Sequence, residues 1–330
     1  MITTPNVKIN LGLNILRKRE DGFHDLETLF IPYFGLYDTL EVIVGDDFSR
    51  TSAALFAKYG EAALPVSQGS MKPEGVFGVE TAENQAPKIA QGISEDGKLM
   101  ITIAREEGVD WDPLNDLCAR AYMILAEHFD LPPVKIFLEK TSPVGAGLGG
   151  GSADAAFTLK MLNELCSLQL TGQQLADYAS RLGSDCAFFI YNRPMIGEGR
   201  GEILTEIATV LPHLAMTFSS DCILMPDQGG ASSADPVQYE IQVITPAGIS
   251  VSTAEAYGGI IPGLPEVSLR EALARPVEQW DGVLVNDFET TVFAKHPELA
   301  AIKKSLYDSG AVYASMSGSG SALFAIYRKS

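Results

Sequence analysis

SPVGAGLGGGSADAA, residues 142–156, places five glycines within seven positions (145, 147, 149, 150 and 151) and then passes at once into helix-favouring residues. Glycine adopts positive φ and lets other groups approach its backbone closely, so successive N–H groups can converge on one anion. A helix that starts directly afterwards adds unpaired amides and the positive end of its dipole. Pro143, Val144, Gly145, Ala146, Gly147, Leu148, Gly149, Gly150, Gly151 and Ser152 thus form a candidate phosphate cradle that needs no basic side chain of its own. A flexible linker is the bland alternative. It would not normally end on a capping serine and an amphipathic helix.

Two familiar phosphate loops do not fit. Gly145-x-Gly147-x-x-Gly150 matches GxGxxG, but a dinucleotide-binding strand runs straight into its first glycine. Here the predicted strand 134–139 is separated from Gly145 by residues 140–144, and Glu164, the acidic residue nearest to 20 positions on, falls inside a predicted helix. A nucleotide-dependent oxidoreductase is disfavoured on that ground. A Walker loop fails because no Gly-Lys-Ser/Thr follows. The lysine for such a cradle must come from elsewhere in the chain.

Outward from the loop, the pattern is mixed. Ala155, Leu159 and Leu162 stripe a helix over 152–165. Thr171 and Gln174 form a capping box for the next helix, with Leu175, Tyr178, Ala179 and Leu182 on its buried stripe and Gly183 as its stop. Ser184 then caps a further helix from Asp185. Upstream, 7–15 alternates: Val7, Ile9, Leu11 and Leu13 on one face, Lys8, Asn10 and Asn14 on the other. Strands are predicted at 39–44, 99–104 and 134–139 and a helix at 117–128. The stretch 46–98 is too long for a loop and is expected to be an insertion with little regular structure. Beyond about residue 194 the composition shifts, so domains of 1–194 and 195–330 are expected. There 216–235 reads as irregular, 239–245 as a strand, 252–257 and 297–309 as helices, and 322–327 as a strand after the small-residue loop 315–321. Strands and helices mix without βα alternation, which makes the fold class α+β.

The 330 residues include 24 Lys plus Arg against 42 Asp plus Glu, a formal net charge of −18. That balance argues against nucleic acid and anionic lipid as partners but leaves room for one electropositive pocket. No apolar run approaches a membrane span, and the first twenty residues lack the pattern of a secretory signal. Cys118, Cys166, Cys186 and Cys222 show no metal-ligand spacing, as expected of free thiols in a reducing compartment. A cytoplasmic protein is expected.

Three stretches together resemble a known superfamily. Pro5-x-x-Lys8-x-Asn10, the loop 143–152 and Met316-Ser-Gly-Ser-Gly320 look like the three motifs of the GHMP kinases, in their order. Within that superfamily the chain is most similar to the 4-diphosphocytidyl-2-C-methyl-D-erythritol kinase family. The stretches that carry this are Arg19-x-Asp21-Gly22-Phe23-His24-x-Leu26-x-Thr28-Leu29-Phe30, Leu182-Gly-Ser-Asp185-Cys-x-Phe-Phe, Gly199-x-Gly201-Glu202-x-Leu204 and Ser252-Thr253-x-x-Ala-Tyr257. Only 46–98 and 205–235 lie outside the resemblance. It implies a ribosomal-S5-like amino-terminal domain that binds ATP and a ferredoxin-like carboxy-terminal domain. It also implies transfer of the γ-phosphoryl group of ATP, with Mg²⁺, to a hydroxyl of a cytidine diphosphate methylerythritol, in non-mevalonate isoprenoid synthesis.

The same resemblance implies roles. Asp185, at a helix start that favours its ionised form, is the candidate base. Lys8 holds it ionised and steadies the transferring group, while Asn10 bonds substrate. Ser152 is a candidate contact to a phosphate oxygen or to Mg²⁺. Phe23 and Tyr257 stack on the cytosine, His24 reads its edge, Thr253 touches the substrate phosphates, and Gly318, Ser319 and Gly320 bring amides to the substrate. The alternatives are another GHMP kinase with a different alcohol and an inactive homologue that only binds nucleotide.

Overall fold

The computed structural model describes residues 1–45, 49–60, 86–207, 217–219, 222–225 and 237–329, with backbone alone for 217–219, 222–225 and 237. These residues divide into two units, neither of them one continuous stretch. The first comprises Met1–Pro5, Tyr37–Ser142 and Gly151–Cys186; the second comprises Asn6–Leu36, Pro143–Gly150 and Ala187–Ser330.

The first unit is built on a five-stranded sheet in the order Ile2–Thr3, Thr39–Val44, Val134–Lys140, Leu99–Arg105, Ile89–Ile93. Its neighbours are antiparallel except for the parallel pair Leu99–Arg105 and Val134–Lys140. Leu99, Ile101 and Ile103 recur at period two and are fully buried, which is what one covered face of a sheet requires. Helix Leu117–Ala126 packs on strand Leu99–Arg105 and on helix Gly172–Leu182. Thr171 closes the expected capping box with Gln174, and Leu175, Ala179 and Leu182 are buried. The glycine run extends the next helix backwards: it spans Gly150–Leu165 rather than starting at 152.

The stretch 46–98 corrects the expectation of an irregular insertion wherever it is described. Helix Ser52–Tyr59 buries Leu55 against Ile43, Ile89, Ala104 and Phe137, and Ile89–Ile93 is an edge strand. The Glu41 carboxylate accepts from Arg50 N at 2.9 Å and from Thr51 N at 3.1 Å and so fixes the start of that helix. A five-residue strand and a two-turn helix are too short to show a period, and both form because long strands are already there to pair and pack with. Residues 61–85 lie outside the described residues.

The second unit holds two sheets. One runs Asn6–Lys18, His24–Tyr37, Met195–Gly199, Ile203–Glu206; the other runs Thr217–Ser219, Cys222–Met225, Val237–Ile244, Leu323–Arg328, Tyr313–Met316. The expected irregular stretch 216–235 is corrected in part. Thr217–Ser219 and Cys222–Met225 pair antiparallel and extend the sheet beside Val237–Ile244, a short hairpin whose strands of three and four residues show no period. The rest of that stretch lies outside the described residues. Val7, Ile9 and Leu11 join Leu29, Ile31, Ile196, Trp280, Tyr313 and Phe324 in one core. Lys8, Asn10 and Asn14, on the polar face of the same strand, are buried as well. A lysine removed from water in this way must be held by acceptors. Among the described residues no helix is long and apolar enough to cross a membrane.

Candidate active site

The glycine loop alternates in structure as it does in sequence. Gly145, Gly147 and Gly149 take φ of 71°, 74° and 71°, a region that costs a side chain about 1–2 kcal/mol. Between them Ala146 and Leu148 point into the core of the second unit. Two buried apolar pegs thus anchor a backbone whose remaining residues are free to turn. The loop is also crowded from behind. A Cβ on Gly147 would lie 2.2 Å from Ser317 O and 2.9 Å from Gly320 N, and one on Gly149 would lie 3.1 Å from Lys8 Cε.

Those contacts bring the three motifs of the second unit together. Lys8 N donates to Leu148 O at 2.9 Å and Ala322 N to Ala146 O at 3.1 Å, so the loop is laced to a strand on one side and to the turn after Met316 on the other. Lys8 Nζ donates to Gly147 O at 2.9 Å and also bonds Asn10 Oδ1. Asn10 Nδ2 donates to Thr28 Oγ1 at 3.1 Å, and Thr28 in turn bonds Gly12 O. The Ser317 hydroxyl donates to Gly147 O at 3.1 Å and accepts from Asn10 N at 3.2 Å. Residues 8, 10, 147 and 317 therefore form one polar knot in which Lys8, Asn10 and Ser317 are buried, with Gly318 against Gly147 O and Asn10 Oδ1.

A separate group of rings lies in the same unit. His24 stacks on Tyr257 with centroids 4.7 Å apart and planes 24° from parallel, and Phe288 meets Tyr257 edge-on at 4.8 Å. Phe23 is 52% exposed. The Arg200 guanidinium lies over that ring at 4.9 Å. Burial holds His24 below the ordinary histidine range, and the Lys18 charge adds to the effect. Thr253 is the first residue of a short helix capped by Ser252, whose hydroxyl accepts from Glu255 N at 3.1 Å.

Asp185 and Ser152 belong to the first unit. Asp185 immediately precedes helix Cys186–Tyr191. Burial pushes the Cys186 thiol up to about 12, while its hydrogen bond with the Ser152 hydroxyl acts the other way. Ser152 therefore stands next to the residue that follows Asp185. The flanks of the glycine loop are fixed in this unit too. Lys140 Nζ bonds Asp38 Oδ2 at 2.5 Å and Asp154 Oδ2 at 2.6 Å, while Asp38 Oδ1 accepts from Thr141 N and Ser142 N at 2.7 Å. Burial pushes the Asp154 carboxyl above the usual carboxylate range despite Lys140.

Several of these partners carry no signal in the sequence. In the sequence Thr28 stands only within a substrate-side stretch, and Asn286 and Glu289 belong to no motif. Asn286 Nδ2 reaches Met316 O at 2.7 Å, and Glu289 Oε1 accepts from Met316 N at 2.8 Å. An Asn-Asp-Phe-Glu run ahead of a helix reads as ordinary capping chemistry. Among the described residues no group of three or more His, Cys, Asp or Glu side chains is placed to hold a metal ion. Cys118, Cys166 and Cys186 are free thiols.

Similarity to known proteins runs the length of the chain. The sequence pattern of the GHMP kinases N terminal domain matches residues 116–193, and that of the GHMP kinases C terminal matches 269–330. A 4-diphosphocytidyl-2-C-methyl-D-erythritol kinase of Bacteroides thetaiotaomicron is 40% identical over 327 residues, covering 99% of this chain and 92% of that protein. The protein of the same name from Bacteroides fragilis is 37% identical with the same coverage. The crystal structure of a 4-(cytidine 5'-diphospho)-2C-methyl-D-erythritol kinase superposes with a TM-score of 0.62 at 26% identity, covering 98% of this chain and 89% of that one.

Proposed function

Because the chain belongs to the 4-diphosphocytidyl-2-C-methyl-D-erythritol kinase family of the GHMP kinases, we propose a role for each residue of its site in phosphoryl transfer. The protein is a kinase with an alcohol acceptor, acting on 4-diphosphocytidyl-2-C-methyl-D-erythritol in isoprenoid biosynthesis. ATP is the donor, and the product carries the new phosphate at the 2-position.

The phosphate tail of ATP lies along the amides of residues 143–152, where the helix that begins at Gly150 adds its positive end. Lys8, fixed between Gly147 O and Asn10 Oδ1, supplies a positive charge already desolvated and aimed, which is worth most in a water-poor site. Asp185 accepts the proton of the attacking hydroxyl. The new bond joins that oxygen to the γ-phosphorus as the bond to the β–γ bridging oxygen breaks, and ADP leaves with the bridging oxygen. Ser152 would hold Mg²⁺ on the phosphates. One hydroxyl fits an ion that keeps most of its ligands as water and phosphate oxygen, and such an ion would offset phosphate charge. Phe23 and Tyr257 take the cytosine, His24 its edge, Thr253 the diphosphate, and the amides of 318–320 the erythritol end.

The knot at Gly147 carries this reading, since it joins the lysine, the substrate-side asparagine and the phosphate loop. The free thiols suit a reducing cytoplasm. Phosphorus NMR of the product tests the reaction: a new phosphomonoester signal coupled to the substrate's 2-position is expected. A product bearing the phosphate on another oxygen contradicts the assignment.

A further inference from the structure

Resting on the roles of Lys8 and Asn10 above, the structure assigns a positioning part to Asn286, which lies in none of the three motifs. Asn286 is 2% exposed. Its Nδ2 donates to Met316 O at 2.7 Å and to Gly318 O at 2.9 Å, so both amide hydrogens are used on the carbonyls that flank Ser317. The Ser317 hydroxyl is the piece that bridges Asn10 N and Gly147 O, and Gly147 O is the acceptor of the Lys8 ammonium. Asn286 thus fixes the peptide that carries a hydroxyl, and the hydroxyl fixes the carbonyl that aims the lysine.

Asn286 is held as firmly as it holds. Its Oδ1 accepts from Phe288 N at 3.0 Å. Leu13 N donates to Val285 O at 2.8 Å and Asp287 N to Leu13 O at 2.9 Å, tying this segment to the strand that bears Lys8 and Asn10. Asp287 Oδ2 accepts from Ile15 N at 2.7 Å on the same strand. Glu289 Oε1 accepts from Met316 N at 2.8 Å and Ser315 Oγ at 3.0 Å at the end of the strand that leads into the turn. The chemistry requires an amide. Two carbonyl oxygens face Nδ2, and an aspartate would set a third acceptor between them and displace the turn.

Steady-state kinetics on purified, folded variants tests this. Asn286→Asp should lower kcat on the order of 10- to 10²-fold, the scale of a misplaced reacting group, with KM for both substrates within about threefold. In a Ser317→Ala background the same change should cost less than about twofold, because the intermediary is already gone. Equal losses in both backgrounds overturn the inference, as does a kcat for Asn286→Asp within about threefold of the parent. If Asn286→Asp does not fold, Ser317→Ala carries the test: a kcat lowered about tenfold supports the relay, and an unchanged kcat overturns it. Lys8→Met separates the two claims. If it retains activity, the site reading falls and this inference with it. If it is inactive while Asn286→Asp is not, this inference falls alone.

Discussion

The Lys8 ammonium donates to the Gly147 carbonyl at 2.9 Å across 139 residues of chain. A backbone carbonyl and a side-chain amide together fix the direction of this buried ammonium, at the point where the phosphate loop turns. The glycine loop supplies the acceptor and Gly149 leaves room for the stem of the side chain. Phosphate cradle and cation are therefore one construction.

Gly147→Ala tests that construction from the loop side. The added Cβ would stand 2.2 Å from Ser317 O at a φ of 74°, so neither the backbone nor its neighbour can keep its place. The expected outcome is loss of about 1–3 kcal/mol of stability, read from the urea midpoint, together with weakened ATP binding in a titration. A variant as stable as the parent and with parental ATP affinity would show that the loop tolerates a side chain there.

Asp185→Asn keeps the shape and removes the proton acceptor. Turnover should fall by roughly 10²–10⁴ while ATP binding stays nearly intact. Pairing kcat with a nucleotide titration checks both halves. Turnover within a few-fold of wild type would mean that the carboxylate is not the base and that attack assisted by Lys8 suffices.

Tyr257→Ala should raise KM for the cytidine substrate more than it lowers kcat, since stacking is shared by ground and transition states. A base–aromatic stack is worth roughly 1–3 kcal/mol. The same change also removes the ring on which His24 rests. An unchanged KM would take Tyr257 out of the pocket.

His24 gives the site a pH signature. Its folded value lies below the ordinary histidine range, chiefly through burial and then through Lys18, so the folded protein favours the neutral ring. An unfolded histidine takes up its proton near 6.5. The stability contributed by keeping the ring neutral is therefore present above that pH and is lost as pH falls below it. KM for the cytidine substrate should be flat from about pH 8 to 6.5 and rise only below. His24→Gln should flatten the rise; a rise that persists unchanged in that variant would assign it to another group.

What could be read in the sequence follows the physics of each segment. The period-two run Val7–Leu13 and the capping box Thr171–Gln174 declare themselves locally, and both are present. The five glycines announced a turning backbone, and the pegs Ala146 and Leu148 between them are buried. Strand His24–Tyr37 was hidden because both its faces are covered from Leu26 to Pro32, which erases alternation. The strands at 217–219 and 222–225 and the edge strand Ile89–Ile93 exist through pairing with their neighbours, and three to five residues are too few to show a period. The partners of the site are hidden for a different reason. Asn286 and Thr28 act through single bonds to carbonyls and hydroxyls far along the chain, and no spacing rule marks them.

The reaction itself is tested most directly by offering the purified protein ATP, Mg²⁺ and one alcohol at a time, and following ADP release. Rapid turnover with 4-diphosphocytidyl-2-C-methyl-D-erythritol and none with mevalonate or homoserine is the result expected here. Turnover with either of the others, or silence with the cytidine compound under conditions where ATP is bound, would contradict it.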